Sequence, residues 1–282
     1  MRMIRTVKEM QGAAETFRRA GRKIGLVPTM GYLHEGHLAL VKKARTLADI
    51  VVVSIFVNPI QFGPKEDFGL YPRDFDRDRR SLEREKADLI FAPEAAEMYP
   101  EGYSTYVEVR GLGDHLCGLS RQGHFIGVAT VVAKLFNAVK PHFAVFGQKD
   151  YQQLKIIERM ARDLNMGIEI IGHPTVREEE GLAMSSRNVY LSAEERDKAL
   201  LIRASMKRAE ALFMGGERNP RVLENEVRKV LASKEGVEVE YASVCDPETF
   251  QVLEDVGKSA LLAIAARVGK TRLIDNTILT ES

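Results

Sequence analysis

Residues 24–44 of the 282-residue chain, IGLVPTMGYLHEGHLALVKKA, join a predicted strand to a predicted helix through a turn that carries two histidines. Ile24–Val27 is a short apolar run of the kind found in a buried strand, and Leu38–Ala44 repeats apolar residues at the period of a helix. The turn between them contains Gly31 and Gly36. Such a turn is expected to aim backbone N–H groups and the positive end of the helix dipole at one point. The stretch therefore predicts a strand–turn–helix unit that binds an anion, and we expect that anion to be an ATP phosphate.

The two histidines of this turn lie three residues apart, so they share one face of the first helical turn. A zincin helix instead has histidines at i and i+4 with a glutamate next to the first. Here Gly36 stands between Glu35 and His37, and the spacing from His34 is i to i+3. The pattern therefore favours two histidines whose side chains donate hydrogen bonds to phosphate. Zinc binding, or two ordinary packed histidines, remain alternative interpretations of the segment taken alone.

The composition argues against several classes of protein. With 41 basic and 40 acidic residues the chain is nearly neutral, whereas general nucleic-acid or membrane-surface binding normally requires a basic excess. Cys117 and Cys245 form no CxxC pair, which suits a reducing compartment and predicts neither a disulfide framework nor structural zinc. The N-terminal residues lack an apolar signal core, and no apolar run approaches the ~18 residues that span a bilayer. We therefore expect a cytoplasmic protein.

Strand-like and helix-like patterns alternate through the first two-thirds of the chain, which implies right-handed crossovers and a parallel sheet. The predicted class is α/β with a doubly wound, Rossmann-like sheet. Helix Asp74–Lys86 is so densely charged that its charges are expected to form a solvated face rather than a binding site. The predicted strands are Ile24–Val27, Ile50–Val57, Asp88–Phe91, Thr105–Val109, His142–Phe146 and Ile168–Ile171. The predicted helices are Thr6–Ala20, Leu38–Ala44, Asp74–Lys86, Gly123–Val139 and Tyr151–Leu164, and Gln61–Arg73 is predicted as a loop.

The composition changes at Glu178–Gly181, after which long crossovers disappear from the pattern. This predicts a second, smaller antiparallel α+β domain at residues 177–282, with residues 1–176 forming the first domain. Its predicted helices are Ala193–Phe213 and Asn219–Ser233, and its predicted strands are Val237–Val244, Ala260–Arg267 and Thr271–Asp275.

Four segments carry the side chains suited to chemistry: the histidine turn, Asn58–Phe62, Gly147–Gln153 and Met184–Asn188. Three of them directly follow a predicted strand, and in an open parallel sheet ligands collect beyond the carboxyl ends of the strands. The segments are therefore predicted to converge on one cleft. Lysine supplies a compact positive charge for phosphate, and a Ser-Ser-Arg run supplies hydroxyls and a guanidinium for diphosphate. A solvated lysine and an exposed turn remain the alternatives for these two features.

Together, the motifs resemble the pantoate–β-alanine ligase (pantothenate synthetase) family of the nucleotidylyltransferase superfamily. The motifs are PTMGYLHEGH (28–37), SIFVNPIQF (54–62), HFIGVATVVAKLFN (124–137), FGQKDYQQL (146–154) and MSSRN (184–188). The resemblance implies condensation of D-pantoate with β-alanine, with ATP as a substrate and AMP and diphosphate as products, through a pantoyl adenylate. It also implies a homodimer and a place in pantothenate and coenzyme A biosynthesis. ATP chemistry implies Mg²⁺, and the near-neutral charge predicts no nucleic-acid or membrane partner.

The resemblance also implies roles for individual residues. The catalytic residues implied in this way are His34, His37, Lys149, Ser185, Ser186 and Arg187. His37 matches the position of the proton donor in the family. The ATP site comprises Met30, Gly31, Tyr32, Leu33, His34, Glu35, Gly36, His37, Gly147, Gln148, Lys149, Asp150, Val176, Met184, Ser185, Ser186 and Arg187. Gln61 is placed against pantoate and β-alanine, Gln153 against pantoate, and Asn58 beside Gln61, with Arg121 and Tyr71 as weaker candidates. Residues 1–176 become the nucleotide- and pantoate-binding domain and 177–282 a lid, while the metal ligands stay unassigned.

Three other functions compete with the ligase. A different nucleotidylyltransferase would leave AMP on its product. A relative of class I aminoacyl-tRNA synthetases would bind RNA through a basic part, whereas this chain is nearly neutral overall. A nucleotide-binding module would carry the same motifs without turnover.

Overall fold

The computed structural model describes residues 1–64 and 66–281, which form two compact units. The first unit comprises Met1–Gly113, Arg121–Gln148 and Gln153–Pro174. The second comprises Asp114–Ser120, Lys149–Gln152 and the chain from Thr175 onwards. No helix within the described ranges is long and apolar enough to cross a membrane.

The first unit is built on a six-stranded sheet in which all strand pairs are parallel. The strands are β1 (Arg2–Ile4), β2 (Ile24–Thr29), β3 (Ile50–Ile55), β4 (Leu89–Phe91), β5 (Phe143–Gly147) and β6 (Glu169–His173). Their order in the sheet is β1-β4-β3-β2-β5-β6. The β-branched run in β3 is buried on both faces because helices cover both sides of the sheet. The doubly wound fold predicted from the sequence is confirmed.

The order of the strands reverses between β2 and β5. From β2 the chain builds outward through β3 and β4 on one side, whereas β5 and β6 lie on the other side. This is the topological switch point, where the loops that follow two neighbouring strands diverge and leave a crevice. The histidine turn follows β2, and Gln148 follows Gly147 at the end of β5, so both lie at this crevice.

Each helix that the sequence predicts has a counterpart with similar bounds, and within the described residues the structure adds two short α-helices. The α-helices are α1 (Val7–Arg19), α2 (Glu35–Arg45), α3 (Phe75–Arg84), α4 (Ala95–Met98), α5 (Cys117–Ser120), α6 (His124–Val139), α7 (Tyr151–Asp163), α8 (Ala193–Met214) and α9 (Pro220–Leu231). Thr6 caps α1, since its hydroxyl accepts the N–H of Glu9. The short β1, α4 and α5 were not predicted, because three or four residues are too few to establish a period.

Two predictions for the first unit are wrong. Thr105–Val109 alternates like a strand, but these residues belong to no strand, and the N–H of Val107 donates to the hydroxyl of Thr130 at 2.9 Å. An alternating pattern shows only that the two faces of an extended segment differ in polarity. A strand also needs a neighbouring strand for its backbone hydrogen bonds, and the pattern does not provide one. The predicted solvated face of α3 is also wrong in part, because Asp78, Ser81 and Leu82 are buried.

The second unit contains an antiparallel sheet, as the sequence predicts. Its strands are β7 (Val237–Cys245), β8 (Ser259–Val268) and β9 (Thr271–Thr280), and they lie in the order β7-β8-β9. Strand β9 continues past the predicted end at Asp275 because its ladder with β8 runs on to the pair Ser259–Thr280. The apolar faces of α8 and α9 pack on this sheet through residues such as Met206, Phe213 and Leu262.

Candidate active site

The turn after β2 is held in a conformation that few residues adopt. Gly31 and Tyr32 both have left-handed backbones, with φ of 82° and 50°. A Cβ on Gly31 would lie 3.0 Å from the side chain of Ile55 and 3.1 Å from a carboxylate oxygen of Asp78. Glycine is therefore favoured here, because its φ is left-handed and a side chain would crowd Ile55 and Asp78.

Asp78 on α3 holds this turn in place through two hydrogen bonds. One carboxylate oxygen accepts the N–H of Tyr32 and the other accepts the N–H of Leu33, each at 2.7 Å. The side chain is almost completely buried, at 1% exposure. Burial raises the pKa of Asp78, against the lowering effect of the two N–H donors. Tyr32 and Leu33, which are both predicted in the ATP site, thus donate their backbone N–H groups to an internal carboxylate.

The dense charge of α3 led to the prediction that Asp78 is solvated, although its position on the helix indicates burial. Asp78 is three residues after Phe75 and four before Leu82, so it lies on the apolar face of the helix. An isolated acidic residue on an apolar face indicates a buried partner, since an unpaired buried carboxylate is very costly.

The two histidines of the turn form a capping box at the start of α2. His34 Nδ1 accepts the N–H of Gly36 at 3.1 Å, and His37 Nδ1 lies 3.4 Å from the N–H of His34. The ring centroids are 4.1 Å apart. Because each Nδ1 acts as an acceptor, the proton of each neutral ring lies on Nε2. The caps therefore fix the tautomer and make Nε2 the donor atom of both rings.

The segment after β3 is equally constrained. Asn58 Nδ2 donates to Gln61 Oε1 at 3.0 Å and to the carbonyl of Gly127 at 3.1 Å. Gln61 Nε2 lies 3.0 Å from Met30 Sδ, which joins the loops that follow β2 and β3. A Cβ on Gly127 would lie 2.5 Å from the carbonyl oxygen of Ile60. Glycine at this point of α6 therefore allows the helix to pack directly against the backbone that presents Gln61.

The remaining candidates in the first unit follow β5. Gly147 is the last residue of β5, and Gln148 follows it beside β6, where a Cβ on Gly172 would lie 3.2 Å from Gln148 Nε2. Gln153 is half-buried on the first turns of α7. Since β3, β2 and β5 are neighbours in a parallel sheet, the loops after them share one edge, and the structure confirms this part of the predicted convergence.

The second unit holds the other candidates. The N–H of Met184 donates to the carbonyl of Val176 at 3.0 Å, and Arg177 pairs with Ala183, so these residues form a narrow hairpin. Ser185 Oγ then accepts the N–H of Arg187 at 3.2 Å and caps a short 3-10 helix, Ser186–Tyr190. Lys149 is half-buried and Asp150 is exposed.

Strand β9 supports both the hairpin and Lys149, a connection that no sequence pattern indicated. Asp275 is buried and binds both terminal nitrogens of Arg177, at 2.6 and 2.9 Å. Its neighbour Asn276 donates to the carbonyl of Lys149 at 2.8 Å. Adjacent residues of one strand thus fix two segments that are far apart in sequence.

The model of the family "Pantoate-beta-alanine ligase" matches residues 2–278. The chain belongs to this family. Relatives of the pantoate–β-alanine ligase family named pantothenate synthetase include one from Thermotoga petrophila, 56% identical over 99% of this chain and 100% of its own length. Another, from Geobacter sulfurreducens, is 53% identical over 100% of this chain and 99% of its own length.

Solved structures of the family agree in fold. The pantothenate synthetase of Thermus thermophilus has a TM-score of 0.94 and 46% identity, with 100% of both chains covered. A pantoate–β-alanine ligase from Francisella tularensis, complexed with beta-gamma ATP and β-alanine, has a TM-score of 0.83 and 33% identity over 100% of this chain and 99% of its own. The family resemblance predicted from the motifs is confirmed. Membership favours a ligase over the three competing functions.

Within residues 1–64 and 66–281, no group of three or more His, Cys, Asp or Glu side chains is arranged to hold a metal ion. A magnesium site made entirely of protein ligands therefore does not fit the described residues of this pantoate–β-alanine ligase family member. Mg²⁺ commonly binds through substrate phosphates and water with only one or two carboxylates.

Proposed function

We propose that the chain joins D-pantoate to β-alanine at the expense of ATP, releasing AMP and diphosphate, through an enzyme-bound pantoyl adenylate. A carboxylate is a poor electrophile toward an amine, and adenylation converts it into a mixed anhydride with a good leaving group. One observation supports this most directly: the capping box holds two Nε2 donors at the switch point of a parallel sheet, where nucleotides bind.

In the first step, a pantoate carboxylate oxygen attacks the α-phosphorus of ATP and diphosphate leaves. The protein forms no covalent bond in this step. It is expected to accelerate the step by positioning the reactants and by stabilising the negative charge on the phosphates. We assign the Nε2 donors of His34 and His37 to the α- and β-phosphates, with His37 as the proton donor. Lys149 and the Ser185–Arg187 segment are assigned to the departing diphosphate.

The remaining parts of the ATP site are assigned by the same motifs. Backbone and side chains of residues 30–37 and 147–150 would surround the nucleotide, and Val176 and Met184 would contact adenine from their shared hairpin.

In the second step, the amine of β-alanine attacks the acyl carbon, and AMP leaves with the carboxylate oxygen. Gln61 and Gln153 are assigned to pantoate, with Gln61 also near β-alanine, and Asn58 supports Gln61. Amide side chains suit a hydroxy acid, because they donate to carboxylates and accept from hydroxyls.

Magnesium, cellular location and assembly are further parts of the proposed function. Mg²⁺ would accompany ATP, bound chiefly through phosphates and water, and neither chemical step is assigned to it. The enzyme would act in the cytoplasm as a homodimer, in pantothenate and coenzyme A biosynthesis. Residues 1–176 would bind nucleotide and pantoate, and residues 177–282 would serve as the lid.

Diphosphate release tests the function directly. With pantoate and ATP alone, we expect one equivalent of diphosphate per active site, because the adenylate stays bound. Addition of β-alanine should give continuous turnover with free AMP and pantothenate. A stable adenylylated product would indicate a different transferase, and no diphosphate under either condition would indicate a module without turnover.

Replacement of Gln153 by alanine should raise the KM for pantoate more than the KM for ATP, because the lost amide would contact only pantoate. Gln251→Ala is a matched control, since Gln251 is exposed in the other unit. Steady-state kinetics with each substrate varied in turn distinguishes the two constants. Equal changes in both would count against the assignment of Gln153 to pantoate.

A further inference from the structure

The hydrogen bonds around Asn58 leave one orientation for its amide. The carbonyl of Gly127 can only accept, so the atom that faces it at 3.1 Å is the nitrogen of the Asn58 amide. The same nitrogen lies 3.0 Å from Gln61, whose facing atom must be its oxygen. The NH₂ group of Gln61 is therefore at the other end of its amide, on the side of Met30.

Tyr99 completes this chain of constraints. Its hydroxyl lies 2.8 Å from the Asn58 oxygen, which accepts, so the phenol must be the donor. Asn58 is thus held at both ends of its amide, by Tyr99 on the oxygen and by Gly127 and Gln61 on the nitrogen. With Asn58 at 1% exposure, water does not readily replace a lost partner.

We propose that Tyr99 is a positioning residue for pantoate: through Asn58, its hydroxyl holds Gln61 with the NH₂ group toward the substrate. This rests on the proposed function, and specifically on the assignment of Gln61. In this orientation Gln61 offers the substrate a hydrogen-bond donor. Its NH₂ group can donate to an oxygen with a lone pair, such as a carboxylate or hydroxyl oxygen of pantoate. It cannot bind the ammonium end of β-alanine, which only donates.

The surroundings of Tyr99 keep its hydroxyl in this role. The ring lies 6.1 Å from that of Phe56 and 5.1 Å from that of Tyr103, centroid to centroid, and Lys134 Nζ is 5.7 Å from its centre. Burial raises the pKa of Tyr99, so the phenol retains its proton and remains a donor throughout the neutral range.

Tyr99→Phe tests the proposal, because it removes the hydroxyl and leaves the packed ring. We expect the KM for pantoate to rise about fivefold to tenfold, the usual effect of one buried hydrogen bond, while the KM for ATP stays within about twofold. Tyr103→Phe is the matched control. Tyr103 belongs to the same ring stack, and Asn58 bonds to Tyr99 instead, so this variant should change neither constant.

A double-mutant cycle separates positioning from general packing. If Tyr99 acts through Gln61, adding Tyr99→Phe to Gln61→Ala should cause no further rise in the KM for pantoate. A full additional rise, an equal rise in the KM for ATP, or a wild-type KM in Tyr99→Phe would overturn the proposal while leaving the proposed function intact. Absence of pantoate-dependent diphosphate release by the wild type would overturn both.

Discussion

Replacement of His37 by alanine is expected to slow adenylate formation by about 10²–10³, the usual cost of removing one preorganised donor to a developing charge. The change deletes the Nε2 donor. It also removes the Nδ1 acceptor of the capping box, so the N–H of His34 loses its side-chain partner. Single-turnover release of diphosphate from pantoate and ATP measures the adenylation step without the later reaction of β-alanine.

Two further variants separate the roles of His37. His37→Gln keeps an N–H donor of similar reach and should recover part of the rate. Lys43→Ala alters an exposed residue of the same helix and should leave the rate unchanged. Loss of a cap costs about 1 kcal/mol of stability, so the folded protein persists in His37→Ala. A wild-type rate in that variant would remove His37 from the mechanism.

The sequence predicted the parts of the fold that depend on local pattern. The β-branched run Ile50–Val57 indicated a central strand, and the apolar period of residues 124–139 indicated a covered helix. The histidine turn was located because a strand, two glycines and a helix are adjacent in the chain. Alternation of strand and helix then gave the parallel sheet, since crossover handedness leaves few other arrangements.

What the sequence did not reveal depends on contacts between distant residues. Asp78 meets the N–H of Tyr32 across 46 positions, and the hydroxyl of Tyr99 meets Asn58 across 41. Each of these side chains, read locally, is an ordinary polar residue on or just after a helix. Their roles become visible only in the folded protein, where a backbone N–H lies within hydrogen-bond distance of Asp78 and the amide of Asn58 lies within hydrogen-bond distance of Tyr99. Positioning residues of this kind are the least accessible to pattern reading.

Asp78→Asn is expected to reduce adenylate formation by about 10²-fold, although Asp78 has no assigned contact with substrate. The asparagine has one oxygen where the carboxylate has two, so either Tyr32 or Leu33 would face an NH₂ group with its own N–H. The turn should shift, and displacement of a catalytic group by about 1 Å can cost 10²-fold in rate. Single-turnover diphosphate release checks this, with Asp76→Asn, exposed on the same helix, as the control.

Stability should respond differently from activity. Burial raises the pKa of Asp78 above its ordinary value of 3.8, so the folded chain binds this proton more tightly than the unfolded chain. Its contribution is therefore most favourable in acid, below the ordinary value, and is lost as the pH rises through the folded value. At neutral pH the wild type bears the cost of a buried charge that Asp78→Asn lacks, which offsets part of the lost hydrogen bonding.

The free energy of unfolding, measured by denaturant titration from neutral to acidic pH, should therefore shift in favour of the wild type relative to Asp78→Asn as the pH falls. A large loss of rate together with this small, pH-dependent stability difference would identify Asp78 as a residue that shapes the turn. Equal rates in Asp78→Asn and Asp76→Asn would show that the turn keeps its histidines in place without the carboxylate.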